Sequence, residues 1–304
     1  MSSEGTDAGE RTLRVGLVGV NTSHAGAFAR LLNERAVADG ARITWVWGGE
    51  LRPGQPDATT LARTYDIPHV ASEPTEMLSE TDLVLVVDDT GQGANHVPLA
   101  RAFVAAGVPT FVDKPMAVDL VEASGLFTLA ADKGTPVTSS SALRFAVELE
   151  AERDQLAALG TLSSVVSVGP GEWYYYGVHA VEQLFALAGS GVEWVQRFTW
   201  PERDIAVLSY ADGGPSAVVQ TLRDAKYAFH LTAYGSEGRH AVDIKDFDGF
   251  YAGQVRAAVE MARTGKPPIA PEETLELLAV LRAGVLSAED GGTRVNVSSV
   301  LGGI

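Results

Sequence analysis

The sequence predicts a chain of two units: a doubly wound parallel α/β sheet, then an α+β unit built on an open, mostly antiparallel sheet. Three observations carry this expectation. Short apolar strands alternate with helices over roughly the first 140 residues, the rhythm expected of a parallel sheet. From about Leu143 that rhythm gives way to strand-like runs separated by tight turns, the rhythm of antiparallel pairing. The polar motifs of the first unit also follow its strands directly, which places them on the carboxyl edge where such sheets bind ligands.

Leu13 to Val20 is an apolar run, as a strand buried on both faces requires. Phe28, Leu31 and Leu32 then recur at helical spacing. Ile43 to Trp47 is a second strand closed by Gly48-Gly49, and Asp57 to Tyr65 reads as helix, with Ile67-Pro68 ending the unit. Leu83 to Val87 is the most apolar strand. A helix follows over Pro98 to Ala106, with Gly107 suited to end it. Thr110 to Val112, a helix over Leu120 to Lys133 stopped by Gly134, and a strand over Pro136 to Ser139 complete the alternation. In the second unit a single helix is expected over Phe145 to Leu159, a strand over Leu162 to Val168 and a helix over His179 to Leu187. Strands are expected over Trp194 to Thr199, Asp204 to Tyr210, Ser216 to Leu222 and Phe229 to Tyr234. Turn sequences such as Asp212-Gly213-Gly214-Pro215 divide them. Phe250 to Thr264 and Glu272 to Ala288 read as closing helices. The expected division is a disordered tail over 1–11, a Rossmann unit over 12–140 and an α+β unit over 141–304, whose closing helices pack back on the first unit.

Composition narrows the function. A chain of 304 residues, 46% apolar and 20% charged, can bury two cores of ordinary size. A net charge of -16 argues against nucleic acid and anionic membranes as partners, since both call for clustered Lys and Arg. The absence of cysteine excludes disulfides, thiolate nucleophiles and Cys-based metal centres. The opening residues lack the apolar stretch of a signal peptide, and no apolar run reaches the ~20 residues of a membrane span. A cytoplasmic location is expected.

The first βα turn runs Gly19-Val20-Asn21-Thr22-Ser23-His24. A pyrophosphate-binding turn wants three glycines, for the tight turn, for backbone approach and for helix–strand packing. Here the first is kept, and Asn21 and His24 stand at the second and third places. Asn21 is expected to tolerate a left-handed backbone, while Thr22 and Ser23 can bond a phosphate or cap the helix. Glu50 arrives two positions later than the acidic residue that holds a ribose diol, and Arg52 nearby suits a 2′-phosphate, so NAD and NADP both stay open.

Two further motifs carry the chemistry: Asp113-Lys114-Pro115 after a strand, and Gly177-Val178-His179-Ala180-Val181-Glu182 opening a helix. In order and spacing the chain resembles the Gfo/Idh/MocA oxidoreductases, which carry Glu-Lys-Pro and Gly-x-His-x-x-Asp at the corresponding places. The stretch from Pro271-Glu272-Glu273 to Val295 is similar to that family's closing helix and strand. The resemblance implies binding of NAD or NADP and oxidation or reduction of a sugar, amino sugar or cyclitol. It implies that Lys114 binds the substrate oxygen beside the nicotinamide, that His179 is the acid–base, and that Glu182 stands in for an aspartate. General chemistry suits those roles: imidazole titrates nearest neutrality, an ammonium stabilises alkoxide charge, and positions 179 and 182 share a helix face. Glu182 is thus expected to orient His179 or share its proton.

The expected cofactor set is Gly19, Asn21, Thr22, Ser23, His24, Glu50, Asp88, His96, Asp113 and Lys114. His96 matches a histidine common after the family's corresponding strand, or else caps the helix that follows. Asp88 and Asp89 need hydrogen bonds if they lie beside an anionic cofactor. The expected substrate set is Lys114, Tyr175, Tyr176 and His179, with the remaining aromatic bulk of Tyr174 to Tyr176 packing in the core. His179, Glu182, Asp88, Asp89, His24 and His96 have ligand chemistry, but the resemblance calls for no metal and none is expected. Two other functions suit the same scaffold: a redox-neutral or non-redox enzyme (a lyase, epimerase or NAD-assisted glycosidase) and a non-catalytic ligand-sensing regulator. The open sheet face leads to the expectation of a homodimer or homotetramer.

Overall fold

The computed structural model describes residues 12–303, so the expected tail lies outside the described residues. The first unit runs β1 (Leu13–Val18), α1 (Ser23–Ala29), β2 (Ala41–Trp47), α2 (Ala58–Thr64), β3 (His69–Ala71), β4 (Leu83–Val86), α3 (His96–Ala105), β5 (Thr110–Val112), α4 (Leu120–Lys133) and β6 (Val137–Ser139). The second runs α5 (Val147–Ala151), α6 (Arg153–Ala157), β7 (Leu162–Pro170), α7 (Gly177–Ala188), β8 (Val192–Trp200), β9 (Arg203–Tyr210), β10 (Ser216–Leu222), β11 (His230–Gly235) and β12 (Gly238–Asp243). It closes with α8 (Phe247–Thr264), α9 (Pro271–Glu289), β13 (Val295–Asn296) and α10 (Val297–Leu301).

The first six strands form one parallel sheet in the order β3-β2-β1-β4-β5-β6, the doubly wound arrangement expected. Helices cover both faces, which is why β4, and β1 from Val15 on, read as apolar runs: Val15, Leu17, Val18 and Leu83 to Val86 have essentially no exposed surface. The register aligns the last residues in a row, Trp47, Val18, Val86, Val112 and Ser139. Gly19, Asp88, Asp113 and Ser141 therefore leave the same edge within two residues of that row.

The second sheet has the order β12-β11-β7-β10-β9-β8-β13 and is antiparallel except for the parallel pair β7 and β10. Its inner residues alternate as expected, with Ala206, Leu208 and Tyr210 of β9 facing the same core as Ala217 and Val219 of β10. Helices α7 and α9 supply the rest of that core. Trp173 lies on α9, its indole N–H donating to the Leu281 carbonyl at 2.8 Å. A Cβ on Gly284 would come within 2.5 Å of the Trp173 ring, so a glycine is needed for this approach. Helix α8 turns back to the first sheet, where Val255, Ala258, Val259 and Met261 join the core of Leu17, Phe28, Ile43 and Leu85.

The fold departs from sequence expectation in three places. The helix expected over Phe145 to Leu159 is interrupted: a 3-10 turn spans 142–145, and α5 and α6 meet at Glu152, whose φ of -97° and ψ of 10° leave the helical ladder. Acidic side chains here serve other segments, Glu148 accepting from the Lys245 and Asp246 amides and Glu152 pairing with His240. Strand β12 escaped notice because Arg239, His240 and Asp243 mask its alternation at the sheet edge. Strand β3 has only three residues, too few to show a period.

Candidate active site

The turn after β1 is shaped by Gly19. Its φ is +100°, and a Cβ there would lie 2.4 Å from the Asp88 Cα, so the β1 and β4 loops touch backbone to backbone. The expected left-handed role of Asn21 is a correction: Gly19 supplies the positive φ, and Asn21 is a buried strap instead. Its carbonyl oxygen accepts the Asp89 amide at 2.8 Å, and its amide donates to Thr90 Oγ1 at 3.0 Å. Thr22 caps α1, with its hydroxyl accepting from the His24 amide at 3.4 Å, and Ser23 is exposed.

His24 is too large for the close packing of a third glycine and turns across the sheet edge. Its Nδ1 lies 2.6 Å from Asp113 Oδ2, with both groups buried. Burial opposes ionisation of Asp113, yet His24, Lys114 and His96 outweigh it and hold the carboxyl well below the usual carboxylate range. The other oxygen of Asp113 is buried with no protein partner. His96 does not cap α3. Its Nδ1 lies 2.8 Å from the Pro115 carbonyl, so that nitrogen carries the proton, and its Nε2 is buried without a protein partner. Burial pushes the His96 pKa down.

Asp88 and Asp89 have the hydrogen bonds their setting demands. Asp88 accepts from the Thr90 amide at 3.1 Å. Asp89 pairs with Arg52 and accepts from the Tyr175 hydroxyl at 2.6 Å. Arg52 also donates to the Asp89 carbonyl at 2.9 Å, while Glu50 is exposed.

Lys114 is buried at the end of β5, and its ammonium lies 4.7 Å from the Tyr175 ring centre and 5.8 Å from that of Tyr176. The His179 ring lies 5.7 Å from the same Tyr176 ring, so cation and imidazole share one aromatic neighbour. Of the three tyrosines, Tyr174 packs against the core as expected of the aromatic bulk there. Tyr174 donates to the Val118 carbonyl at 3.1 Å, Tyr175 reaches Asp89, and Tyr176 is 41% exposed. They join the two units across the crevice. Burial lifts the Tyr174 hydroxyl to about 12, and burial with the Asp89 carboxylate raises that of Tyr175 further.

His179 sits in the first turn of α7. Burial, then the Lys114 cation, drive its pKa well down, so the ring is neutral near neutrality. The expected contact with Glu182 is not made. Glu182 is buried, and its two oxygens accept from the Ser141 amide at 2.9 Å and from Arg144 Nε at 2.7 Å. Arg144 also pairs with Glu273. Burial raises the Glu182 carboxyl, against the pull of Arg144. It is Ser141, 2.6 Å from His179 Nδ1, that holds the ring. Sequence reasoning passed over Ser141 and Arg144. The signals were a serine triplet after a predicted strand and a lone arginine before an acidic helix.

A dinucleotide suits this edge. The close turn at Gly19, the exposed Ser23 and two orphaned buried polar atoms, His96 Nε2 and Asp113 Oδ1, provide partners that the protein itself leaves open. Among the described residues no group of three or more His, Asp or Glu side chains could hold a metal ion.

Residues 13–141 match the profile of an oxidoreductase family with an NAD-binding Rossmann fold. YceM of Salmonella typhimurium, named as an oxidoreductase, is 30% identical over 191 residues, which are 59% of this chain and 57% of that protein. The chain thus spans little more than half the length of that relative. Scyllo-inositol dehydrogenase of Lactobacillus casei, solved with NAD(H) and scyllo-inositol, superposes with a TM-score of 0.78 at 14% identity, over 95% of this chain and 100% of its own. GenD2 from gentamicin A biosynthesis, solved with NAD, gives 0.78 at 20% identity over 97% and 99%. Residues 13–141 thus resemble the Rossmann segment of the Gfo/Idh/MocA oxidoreductases, and the two-sheet fold is the one these solved structures share.

Proposed function

We propose that the protein is an NAD(P)-dependent dehydrogenase or reductase acting on a hydroxyl or keto carbon of a sugar, amino sugar or cyclitol. The observation that carries this reading is that Lys114, after the last residue of β5, and His179 both lie beside the Tyr176 ring, next to the carboxyl edge of a Rossmann sheet. Residues 12–140, completed by α8, form the cofactor half, and the rest of 141–304 forms the substrate half. The cofactor, when bound, supplies or accepts a hydride. Gly19, Thr22, Ser23 and His24 line its phosphates, Asn21 and Asp88 shape the loop, and Glu50 or Arg52 meets the adenosine ribose. His96, Asp113 and Lys114 lie toward its reactive end.

The chain's own residues deal with the substrate oxygen. Lys114 holds a positive charge where alkoxide character develops. His179 is the group that exchanges a hydrogen with that oxygen, and Glu182 supports it through Ser141. Tyr175 and Tyr176 give the ring-shaped substrate an aromatic wall. A screen of inositols and sugars with NAD(H) and NADP(H) tests the reading. Turnover is expected, with His179→Ala lowering kcat by about 10²–10⁴-fold and leaving nucleotide affinity unchanged. Full activity in that variant would remove His179 from the chemistry.

The outer face of the second sheet carries Phe198, Trp200 and Tyr234 exposed, with Ile205 and Val207 half-buried between the first two and the sheet centre. This apolar face supports self-association into a dimer or tetramer. Light scattering on the purified chain tests it, and a monomer at micromolar concentration would contradict it.

A further inference from the structure

His179 is tied to the protein through one ring nitrogen, and the hydrogen-bond accounting around that nitrogen is closed. Nδ1 lies 2.6 Å from Ser141 Oγ. Ser141 has no exposed surface, so water offers its hydroxyl nothing. Its oxygen already accepts the Leu143 amide at 3.2 Å, the bond that caps the 142–145 turn. The hydroxyl hydrogen still needs an acceptor, and among the described residues the one bonded to it is His179 Nδ1. Hydroxyl hydrogens rotate to suit their surroundings, and buried donors are seldom left unpaired.

We infer that Ser141 is a positioning residue whose hydroxyl donates to His179 Nδ1, so that the neutral ring carries its one proton on Nε2 and offers it to the crevice as a hydrogen-bond donor. The meaning of this arrangement rests on the reading of His179 as the group at the substrate oxygen. Glu182 then acts one step removed: it accepts the Ser141 amide at 2.9 Å and is fixed by Arg144, which holds the serine in place. A doubly protonated ring would have to donate Nδ1–H into Ser141 and strand the serine hydrogen. Burial and the Lys114 charge oppose that same form.

A ring protonated on Nε2 suits a carbonyl oxygen. To accept a hydroxyl proton it must first pass to the other tautomer, with Nδ1–H on Ser141 and the serine hydrogen left without a partner. The resting site therefore prefers the keto form of its ligand.

Long-range proton–nitrogen NMR on the full chain, with isotope-labelled histidine, reads the tautomer directly. The six histidines are few enough to separate, and His179→Gln assigns the signal. The expected result is a neutral His179 protonated on Nε2 in the wild type, kept in Ser141→Thr and lost or mixed in Ser141→Ala. A wild-type ring protonated on Nδ1 would overturn the inference, even if Ser141→Ala failed to fold. So would an unchanged Nε2–H ring in a folded Ser141→Ala. The readout needs no substrate or cofactor, so failure of the dehydrogenase reading leaves it intact, and its own failure leaves that reading standing.

Discussion

His96 and Asp113 are buried at one sheet edge and His179 is half-buried in the first turn of α7 beside it, and each answers in the direction its surroundings dictate. For the two histidines the folded pKa lies below the unfolded value near ~6.5, so the unfolded chain binds the proton first on acidification. Their contribution to stability is complete above that value and is lost as pH falls from it toward the folded pKa. Asp113 adds its own loss only in stronger acid, below the ordinary carboxylate range, and Glu182, raised by burial, acts in the opposite sense near that range. Melting temperatures measured from pH 7.5 to 5 are therefore expected to fall, and to fall less steeply in His179→Gln. An identical slope would show that the folded ring takes its proton like the unfolded one. Lys114 and His179 were legible in the sequence because their motifs are short and local. Ser141 was not, because a buried serine acquires meaning only from a partner 38 residues away.

The elements that build the site are the loops after β1, β4, β5 and β6 and the start of α7, and the turn after β1 is the most constrained of them. Gly19→Ala would force a side chain into a left-handed backbone and into the Asp88 main chain. A loss of more than about 1–3 kcal/mol is expected, together with weaker nucleotide binding. Chemical denaturation checks the first, and an unchanged midpoint would contradict the close approach. Asp89 ties Arg52 and Tyr175 together, so Asp89→Ala is expected to speed amide hydrogen exchange over 88–95 and 172–176 at once. Exchange faster in only one stretch would show that the tie does not join the units. Apart from the three-residue β3, helices and strands of the first unit were legible because propensity, caps and burial agree there. Asp57 and Gly134, for example, cap α2 and α4 at the expected places. The broken α5–α6 pair was not, because Glu148 and Glu152 read as helical surface residues while their partners, the 245–246 amides and His240, lie far along the chain.

Across the whole molecule the chain closes on itself, with α8, from the far end of the sequence, sealing the first sheet. Met261 has no exposed surface among Leu17, Phe28 and Ile43, so Met261→Ala is expected to cost about 2–5 kcal/mol. Because that helix belongs to the second half of the sequence, the loss should be felt in a single transition of both units. Two separated transitions in a calorimetric scan would contradict it. The two-sheet architecture was legible from rhythm alone; the return of the closing helices, also among the expectations, does not follow from rhythm, because an amphipathic helix shows that it has a partner, not which one. The central claim, that the Gly19 turn and the carboxyl edge beside Lys114 and His179 hold a dinucleotide, is tested most directly by titration calorimetry. The measurement is made with NAD(H) and NADP(H) on the purified chain, alongside a check for cofactor carried through purification. The account predicts binding of one dinucleotide per chain in the micromolar range or tighter. A chain that carries no dinucleotide and binds none would contradict it.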